Sequence, residues 1–410
     1  GIDNLILPNI RGNMPSFIQL DWDGDNFVLG SDFRHHVRGA AVYHQSTYDW
    51  RRLSFALSVR YEFEQSALRY HSYCSTGVHG SVNMPQIPRP ITFALPADID
   101  VSDRMHQNFR QLLPKASITY NLTNSAIYVT VGKGYKAGGY NTQMFSNFLQ
   151  QRLTDTMREE AMQLMGSMMG GMGGGARPTA ETPGQTAAEL EYSAADYVSY
   201  RPETSWNYEI GGHFSCDGGR VYSTLTAFLI DVRDQQITVF PEGTSTGRMM
   251  TNAGRTRSAG AELSIRYSPT SRWQFDLSYG YTHATFRHFF DGRQDLSGRH
   301  VPYAPSNTLY LAASHRLPLR GCTWADALSF TADLRGTGRI YWDEENLYNQ
   351  PFYARLGASV RLEHSRYSID LWGKNLTDTR YNVFRYESIG NQFYQRGCGI
   401  SGGITLRVKI

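Results

Sequence analysis

Aromatic and cationic side chains stand on both sides of the long segment between Asn141 and Glu203. Phenol, ammonium and guanidinium groups can hold an anionic, partly aromatic ligand through charge-assisted hydrogen bonds and ring stacking. The segment is roughly 60 residues long, and connections of that length are usually functional or disordered. We therefore predict ligand-binding residues before and after it, namely Tyr135, Lys136, Tyr140, Tyr197, Tyr200 and Arg201.

The same segment holds six of the chain's 12 methionines, all between Met157 and Met172. Four of the six recur every three or four residues, which is typical of a helix, and the glycine run 170–175 ends the pattern. Thioethers are soft ligands for Cu(I) and pack adaptably against flat apolar ligands such as haem. We predict that this stretch gates a ligand entrance or contacts ligand; the alternative is an unstructured crown. The predicted contacts are Met165, Met168, Met169 and Met172.

A second set of side chains resembles part of a calcium loop. Asp21, Asp23 and Asp25 alternate as calcium ligands do, and Asp32 occupies the position of the bidentate glutamate. Asn26 stands where glycine is preferred, and no amphipathic helix flanks the loop. A surface calcium loop and a plain acidic loop both fit these residues.

The sequence contains no motif that is typical of an enzyme active site. Gly132-Lys133-Gly134 is followed by tyrosine-rich sequence rather than by the helix that a phosphate-binding loop needs. The 12 histidines and four cysteines show no metal-ligand spacing, and no nucleophile elbow stands out. Apart from the possible calcium loop, we predict no catalytic residue, no bound metal and no cofactor.

The composition narrows the class of protein. Lys plus Arg is 40 and Asp plus Glu is 37, a near-balance that gives no support to a nucleic-acid interface. Aromatic residues make up 13% of the chain, while all hydrophobic residues together make up only 40%. The number of aromatic side chains is therefore large for the amount of apolar core that such a composition can form. No apolar run approaches the roughly 18 residues of a transmembrane helix.

Hydrophobic side chains alternate with polar ones along most of the chain. Between Leu53 and Glu64 the odd positions are apolar and the even ones polar or small, which gives a strand one apolar and one polar face. The pattern recurs over residues 258–267, 273–282, 355–362 and 404–410. We predict that the apolar set faces lipid: Phe55, Leu57, Val59, Leu263, Ile265, Phe275, Leu277, Leu406 and Val408. The charged set should face a lumen: Arg60, Glu62, Glu262, Arg266, Asp276, Arg361 and Arg407.

Strand length and connection length favour a membrane β-barrel over a soluble sandwich. The strands reach about 10 residues, as bilayer-crossing strands do, rather than the soluble mode of about 5–6. Short turns alternate with long connections, the asymmetry of outer-membrane barrels. The short turns are Asp49–Arg52, Thr123–Ser125, Asp217–Arg220, Ser268–Arg272, Pro318–Trp324 and His364–Arg366. The predicted long connections are Gln65–Leu112, Asn141–Glu203, Asp234–Thr256, Thr285–Ser306, Thr337–Pro351 and Asp378–Gly397.

The strand count predicts that the barrel needs further strands. From Arg38–Tyr48 to Cys398–Ile410 the alternation gives 13 strands, whereas bacterial single-chain barrels have an even number. We expect residues 1–37 to be an upstream barrel segment or extracellular loop and residues 38–410 to be barrel strands. Alone, the chain should not form a closed barrel, because its terminal strands would present unpaired edges to lipid.

Five sequence motifs, in one order along the chain, resemble signatures of TonB-dependent receptors. Gly134–Asn141 is similar to their "GYKAGGFN" strand end, and Pro202–Gly211 to their "PE-x-x-x-x-YE-x-G" strand opening. The other three are Asn252–Leu263, Tyr303–Leu309 and Lys374–Tyr381.

The resemblance implies a large barrel of about 22 strands with a plugged lumen, short periplasmic turns and long extracellular loops in the bacterial outer membrane. It also implies import of a scarce ligand with energy delivered by the TonB complex through a plug that nothing in this sequence resembles. A ferric siderophore is the leading ligand, followed by haem, cobalamin and glycan. The alternative is an uncoupled barrel that serves as a pore, an adhesin or a structural partner; the expected contacts in either case are outer-membrane lipid and upstream strands or a partner chain.

Overall fold

The computed structural model describes residues 18–22, 28–82, 91–142, 145, 149, 152–153, 198–239, 249–291, 294–388 and 391–409. Its strands are β1 Ile18–Trp22, β2 Val28–Trp50, β3 Leu53–Val82, β4 Ile91–Asn121, β5 Ser125–Lys136, β6 Gly139–Tyr140, β7 Ser199–Tyr200, β8 Glu203–Cys216, β9 Val221–Val239, β10 Met249–Thr270, β11 Trp273–His288, β12 Asn307–Pro318, β13 Ala327–Thr337, β14 Ile340–Tyr341, β15 Asn349–Gln350, β16 Tyr353–Glu363, β17 Tyr367–Lys374, β18 Asn382–Ser388, β19 Asn391–Arg396 and β20 Ser401–Val408. Asp217–Gly219 forms a 3₁₀ turn. Among the described residues, no helix is both long enough and apolar enough to span a membrane.

One antiparallel sheet dominates the described part of the chain. Its 14 strands follow the order β1-β3-β4-β5-β8-β9-β10-β11-β12-β13-β16-β17-β20, with β2 paired to β3. β1 and β2 lie along the same edge of β3, because β2 pairs with Leu53–Ser75 and β1 with Val78–Val82. Apart from β1, these are the 13 strands that the alternation predicts. The first of them begins at Val28, ten residues before the predicted Arg38, so the sheet reaches into the predicted upstream segment.

The predicted short turns are confirmed at one end of the sheet. The strands there are joined across residues 51–52, 122–124, 217–220, 271–272, 319–326 and 364–366. In the turn after β8, Asp217, Gly218 and Gly219 have φ values of 52°, 63° and 86°. Glycine adopts such left-handed values without steric cost, and Asp is one of the few other residues that tolerate them.

Three segments predicted as loops are built largely of strand in their described residues. In the predicted connection Asp234–Thr256, β9 continues to Val239, which pairs with Met249 at the start of β10. Gln65–Leu112 is not a long loop, because β3 and β4 stay paired without a register shift from Leu53↔Tyr120 to Val82↔Ile91. Residues 28–36, predicted as loop, belong to β2, where Asp32 pairs with His71; Asp23, Asp25 and Asn26 of the possible calcium loop lie outside the described residues. We call residues 28–37, 65–82 and 91–108 the arm, since they extend the sheet away from the short turns.

The two faces of the sheet have opposite chemistry, as predicted. One register row across five strands is wholly apolar: Ile265, Leu277, Leu311, Leu334 and Leu356. In the next row, on the other face, Arg266 Nε donates to Asp276 Oδ1 at 2.8 Å. Asp370 accepts from both Arg361 and Arg407 on that charged face.

The apolar face is exposed, with Leu57 at 57%, Leu406 at 63% and Val408 at 62% of their full accessible area. A continuous apolar surface of this size marks contact with a membrane or a partner.

Candidate functional site

Both ends of the 141–203 segment are packed against the arm. Residues 145, 149, 152 and 153 are helical, and Phe145, Leu149 and Leu153 are at most 1% exposed. The Phe145 ring centroid lies 4.5 Å from that of Tyr70. Val198 is fully buried in the same cluster. The start and the end of the segment are therefore fixed by apolar burial on the arm.

A short neck closes the base of the segment. We define the neck as Gly139–Asn141 and Val198–Arg201. β6 pairs with β7 there, and Asn141 N donates to Val198 O at 2.6 Å. The Asn141 amide group also exchanges hydrogen bonds with the Met250 backbone, at 2.7 and 2.8 Å. A Cβ added to Gly138 would lie 2.4 Å from the backbone O of Tyr200, so this glycine of the family-like motif permits a backbone contact that alanine would block.

The structure brings several predicted ligand residues together at this neck. Tyr140 Oη donates to Ser66 O at 3.3 Å, and Arg201 Nη2 lies 2.7 Å from Asp234 Oδ1. Burial raises the pKa of Tyr140 and of Tyr200, so both phenols stay neutral donors at physiological pH. Nearby, the buried Tyr135 hydroxyl has no hydrogen-bond partner among the described residues, and Lys136 is exposed. Met165, Met168, Met169, Met172 and Tyr197 lie outside the described residues.

A second candidate site, absent from the sequence predictions, is a cavity of about 480 Å³ beside the ends of β13, β16, β17 and β20. Three cations line it, Arg335, Arg355 and Lys374, together with Asp333, Tyr381 and Ser401. Arg335 and Arg355 are direct register partners. Because Asp333 is the sole carboxylate in the lining, the cavity has an excess of positive charge.

The Arg355 guanidinium is positioned by Tyr381 and retains an N–H group that could donate to an anion. Its Cζ lies 5.0 Å from the ring centroid of Tyr381, and its Nη1 donates to Tyr381 Oη at 2.9 Å. Arg355 Nε is buried and has no hydrogen-bond partner among the described residues. Arg335 donates to Asp333 at 2.9 Å, and Lys374 Nζ lies 4.8 Å from the Trp372 ring centroid. The cavity therefore offers fixed N–H donors to a carboxylate, phenolate or phosphate.

The cavity could not be predicted from the sequence, because the register between strands cannot be read from one strand alone. The alternation predicts only that Arg355 lies in a strand, while Arg335 and Lys374 lie on other strands, 20 and 19 residues away. The signal that could have found it is the recurrence of a cation near the loop end of successive strands. In the described part of the chain, no group of His, Cys, Asp and Glu is arranged to hold a metal ion.

Comparisons with known proteins match this architecture. A family model described as TonB dependent receptor-like, beta-barrel matches residues 11–376. Pesticin receptors of Yersinia enterocolitica and Yersinia pestis are 22% identical over 358 residues, covering 87% of this chain and 42% of their own length. The chain thus spans less than half of these relatives.

Solved structures share the fold. The ferric yersiniabactin uptake receptor FyuA from Yersinia pestis superimposes with a TM-score of 0.58 at 17% identity, over 94% of this chain and 56% of FyuA. The siderophore receptor PiuA from Acinetobacter baumannii gives a TM-score of 0.52 at 15% identity, over 91% of this chain and 56% of PiuA.

Proposed function

Because this chain belongs to the TonB-dependent receptor family and forms β-barrel strands of the bacterial outer membrane, we propose that it builds the ligand-conducting wall of a receptor that imports a scarce ligand. Members of this family are transporters rather than enzymes. The observation that carries the proposal is the family match over residues 11–376 on a sheet with one exposed apolar face and one charged face. Energy would arrive from the TonB complex through a plug domain.

We propose a ferric siderophore as the ligand. The cavity supplies three cations and a tyrosine, which suits the anionic, often aromatic groups that coordinate iron(III). Haem shares the negative charge through its carboxylates, whereas an uncharged glycan, or cobalamin, which is neutral overall, would bring no net negative charge to the cavity. FyuA and PiuA are named for ferric yersiniabactin uptake and as a siderophore receptor, which agrees with this choice of ligand class.

The 141–203 segment is proposed to contact or gate this ligand. Its fixed neck carries Tyr140, Tyr200 and Arg201, with Tyr135 and Lys136 on the strand below. The methionine-rich stretch with Met165, Met168, Met169 and Met172, and Tyr197 near its end, would reach the ligand from above. The competing hypothesis is a crown that only shields the entrance.

Deleting Met157–Gly175 distinguishes the two hypotheses. The deletion keeps Phe145, Leu149, Leu153 and Val198, so the anchor on the arm should hold and the receptor should insert normally. We expect weaker ferric-siderophore binding by the purified receptor and slower uptake by cells. A control of the same length deletes residues 176–194, which contain no methionine. If binding and uptake stay at the unmodified level after the first deletion, the segment is a crown and the gating proposal is wrong.

A further inference from the structure

Two asparagine side chains connect the neck to the strand pair β9–β10. The Asn141 amide donates to Met250 O at 2.7 Å and accepts from Met250 N at 2.8 Å. The Asn252 amide makes the same paired contact with Arg201, accepting from its N at 2.8 Å and donating to its O at 3.0 Å. Each amide thus forms the two hydrogen bonds that a neighbouring strand would otherwise form with that residue. We call Asn141 and Asn252 the asparagine clamp.

The asparagine clamp lies where the sheet leaves backbone groups unpaired. β11 pairs with β10 only from Arg255 toward the short turn, so no described strand lies on that side of Met250. Gln236, the register partner of Asn252, reinforces the contact. It is 7% exposed, and its amide donates to Arg201 O at 3.1 Å. The neck is therefore tied to both strands of the β9–β10 pair.

The neck needs this support because its own ladder is short. Only two residue pairs form it, Gly139 with Tyr200 and Tyr140 with Ser199, and even a longer two-stranded hairpin is marginal by itself in water. On one side, Tyr140 Oη donates to Ser66 O of the arm at 3.3 Å, and the apolar cluster that anchors the segment also lies on the arm. On the other side, the asparagine clamp supplies the corresponding contacts to β10.

Three of the five family-like motifs meet at the asparagine clamp. Asn141 ends one motif, Asn252 begins another, and Arg201 directly precedes a third. Asparagine suits this place, because its short side chain carries an acceptor and a donor that reach the N–H and C=O of one residue together. The three motifs are Gly134–Asn141, Pro202–Gly211 and Asn252–Leu263.

We propose that the asparagine clamp positions the ligand-binding side chains of the neck. It holds Tyr140, Tyr200 and Arg201 at a fixed place beside the ligand path, and this inference rests on the function proposed for the segment. A ligand that meets side chains already in place binds more tightly, because less conformational freedom is lost. Arg201 depends on the clamp most, since Asn252 bonds its backbone and also donates at 2.8 Å to the backbone O of Asp234, its ion-pair partner.

Hydrogen exchange tests the asparagine clamp without any ligand. The receptor, purified from outer membranes and held in lipid nanodiscs, is compared with N141A/N252A and with the matched control N346A. Asn346 makes the same paired contact with His300, at 2.6 and 2.9 Å, between two other loops. We expect the amides of residues 198–201 to exchange at least about tenfold faster in N141A/N252A and at the unmodified rate in N346A. If the double variant fails to insert, Asn252→Asp, which loses both donors and keeps the acceptor, is measured with the same expectation.

A double-mutant cycle tests the positioning itself. The probes are one ferric catecholate, one ferric hydroxamate and one ferric carboxylate siderophore, and the tightest binder is used for all variants. Arg201→Gln should weaken its binding about tenfold in the unmodified receptor and in N346A. In N141A/N252A the same change should weaken binding less than about twofold, because Arg201 is no longer held in place. A role in stability alone would leave the effect of Arg201→Gln equal in all three receptors.

Unchanged exchange at the neck in N141A/N252A would overturn the proposal. An equal effect of Arg201→Gln in all three receptors, or no effect in any of them, would also overturn it. An unmodified receptor that binds none of the three siderophores would contradict the proposed function instead, and the exchange rates would then confirm or refute the asparagine clamp independently of the ligand.

Discussion

Replacing Leu263 by arginine is expected to lower the free energy of unfolding of the membrane-embedded receptor by about 2–4 kcal/mol, the cost of a cation at mid-bilayer on a barrel surface. Leu263 lies in the middle of the apolar band. The band on β10 runs from Tyr267 to Ala259, and Arg257 with its partner Asp231 follows above it. The neighbours of Leu263 in its own row are Leu225 and Tyr279, which offer no counter-charge.

The adjacent residue provides a matched control. Ser264 points to the charged face, with Ser278 Oγ 3.4 Å from its own hydroxyl and Thr224 as its other register partner. Ser264→Arg places the same cation at the same depth on the polar side, and we expect a far smaller loss. Denaturant unfolding in lipid vesicles measures both variants. Equal losses, or a larger loss for Ser264→Arg, would show that the faces are assigned the wrong way round.

The second large effect concerns the cationic cavity. Removing Arg355 and Lys374 together as R355Q/K374Q should weaken ferric-siderophore binding by about a hundredfold. A hydrogen bond to a charged group contributes about 1.5–3 kcal/mol, and each 1.4 kcal/mol is a factor of ten in affinity. Tryptophan fluorescence quenching of the purified receptor gives the dissociation constant.

Arg316→Gln is the control for this experiment. Arg316 also lies near a strand end, but beside the short turn after β12, where its Nε donates to Glu363 at 3.0 Å. Its loss should leave ligand affinity unchanged. If R316Q and R355Q/K374Q weaken binding to the same extent, the cavity has no special role and the effect is one of general charge or stability.

Period-2 alternation was enough to predict the strands, their facing and the short turns. It succeeded over the membrane-crossing parts of β8 to β20, because each strand there borders lipid on one side, so Leu263 and Arg266 fall in opposite phases. It did not predict that β9 continues to Val239 or that β10 already begins at Met249. It failed on the arm, where the buried inner residues Leu68 and Tyr70 are covered by Phe145, far along the chain. The outer face of the arm is polar, and its inner face is buried by residues that lie far away in the sequence. The local sequence of such a strand therefore resembles that of a loop.

Of the two candidate sites, only the neck could be predicted from the sequence, because its residues lie at the two ends of a single segment. Tyr140 and Tyr200 flank the same segment, and the glycines before Tyr140 already indicate a close backbone approach. The cavity around Arg355 depends on the register of separate strands, which the sequence of any single strand does not contain. The ion pair of Arg201 with Asp234 could not be predicted for the same reason, because it joins the connection between β7 and β8 to β9.

The central claim is that this chain forms part of the wall of an importer energised through TonB. The most direct measurement is accumulation of radioactive iron from a ferric siderophore by iron-starved cells that carry this receptor, with TonB intact or disrupted. The account predicts accumulation above the external concentration only when both the receptor and TonB are present. Uptake that is the same without TonB, or that stops at the external concentration, would contradict it and identify the barrel as an uncoupled pore.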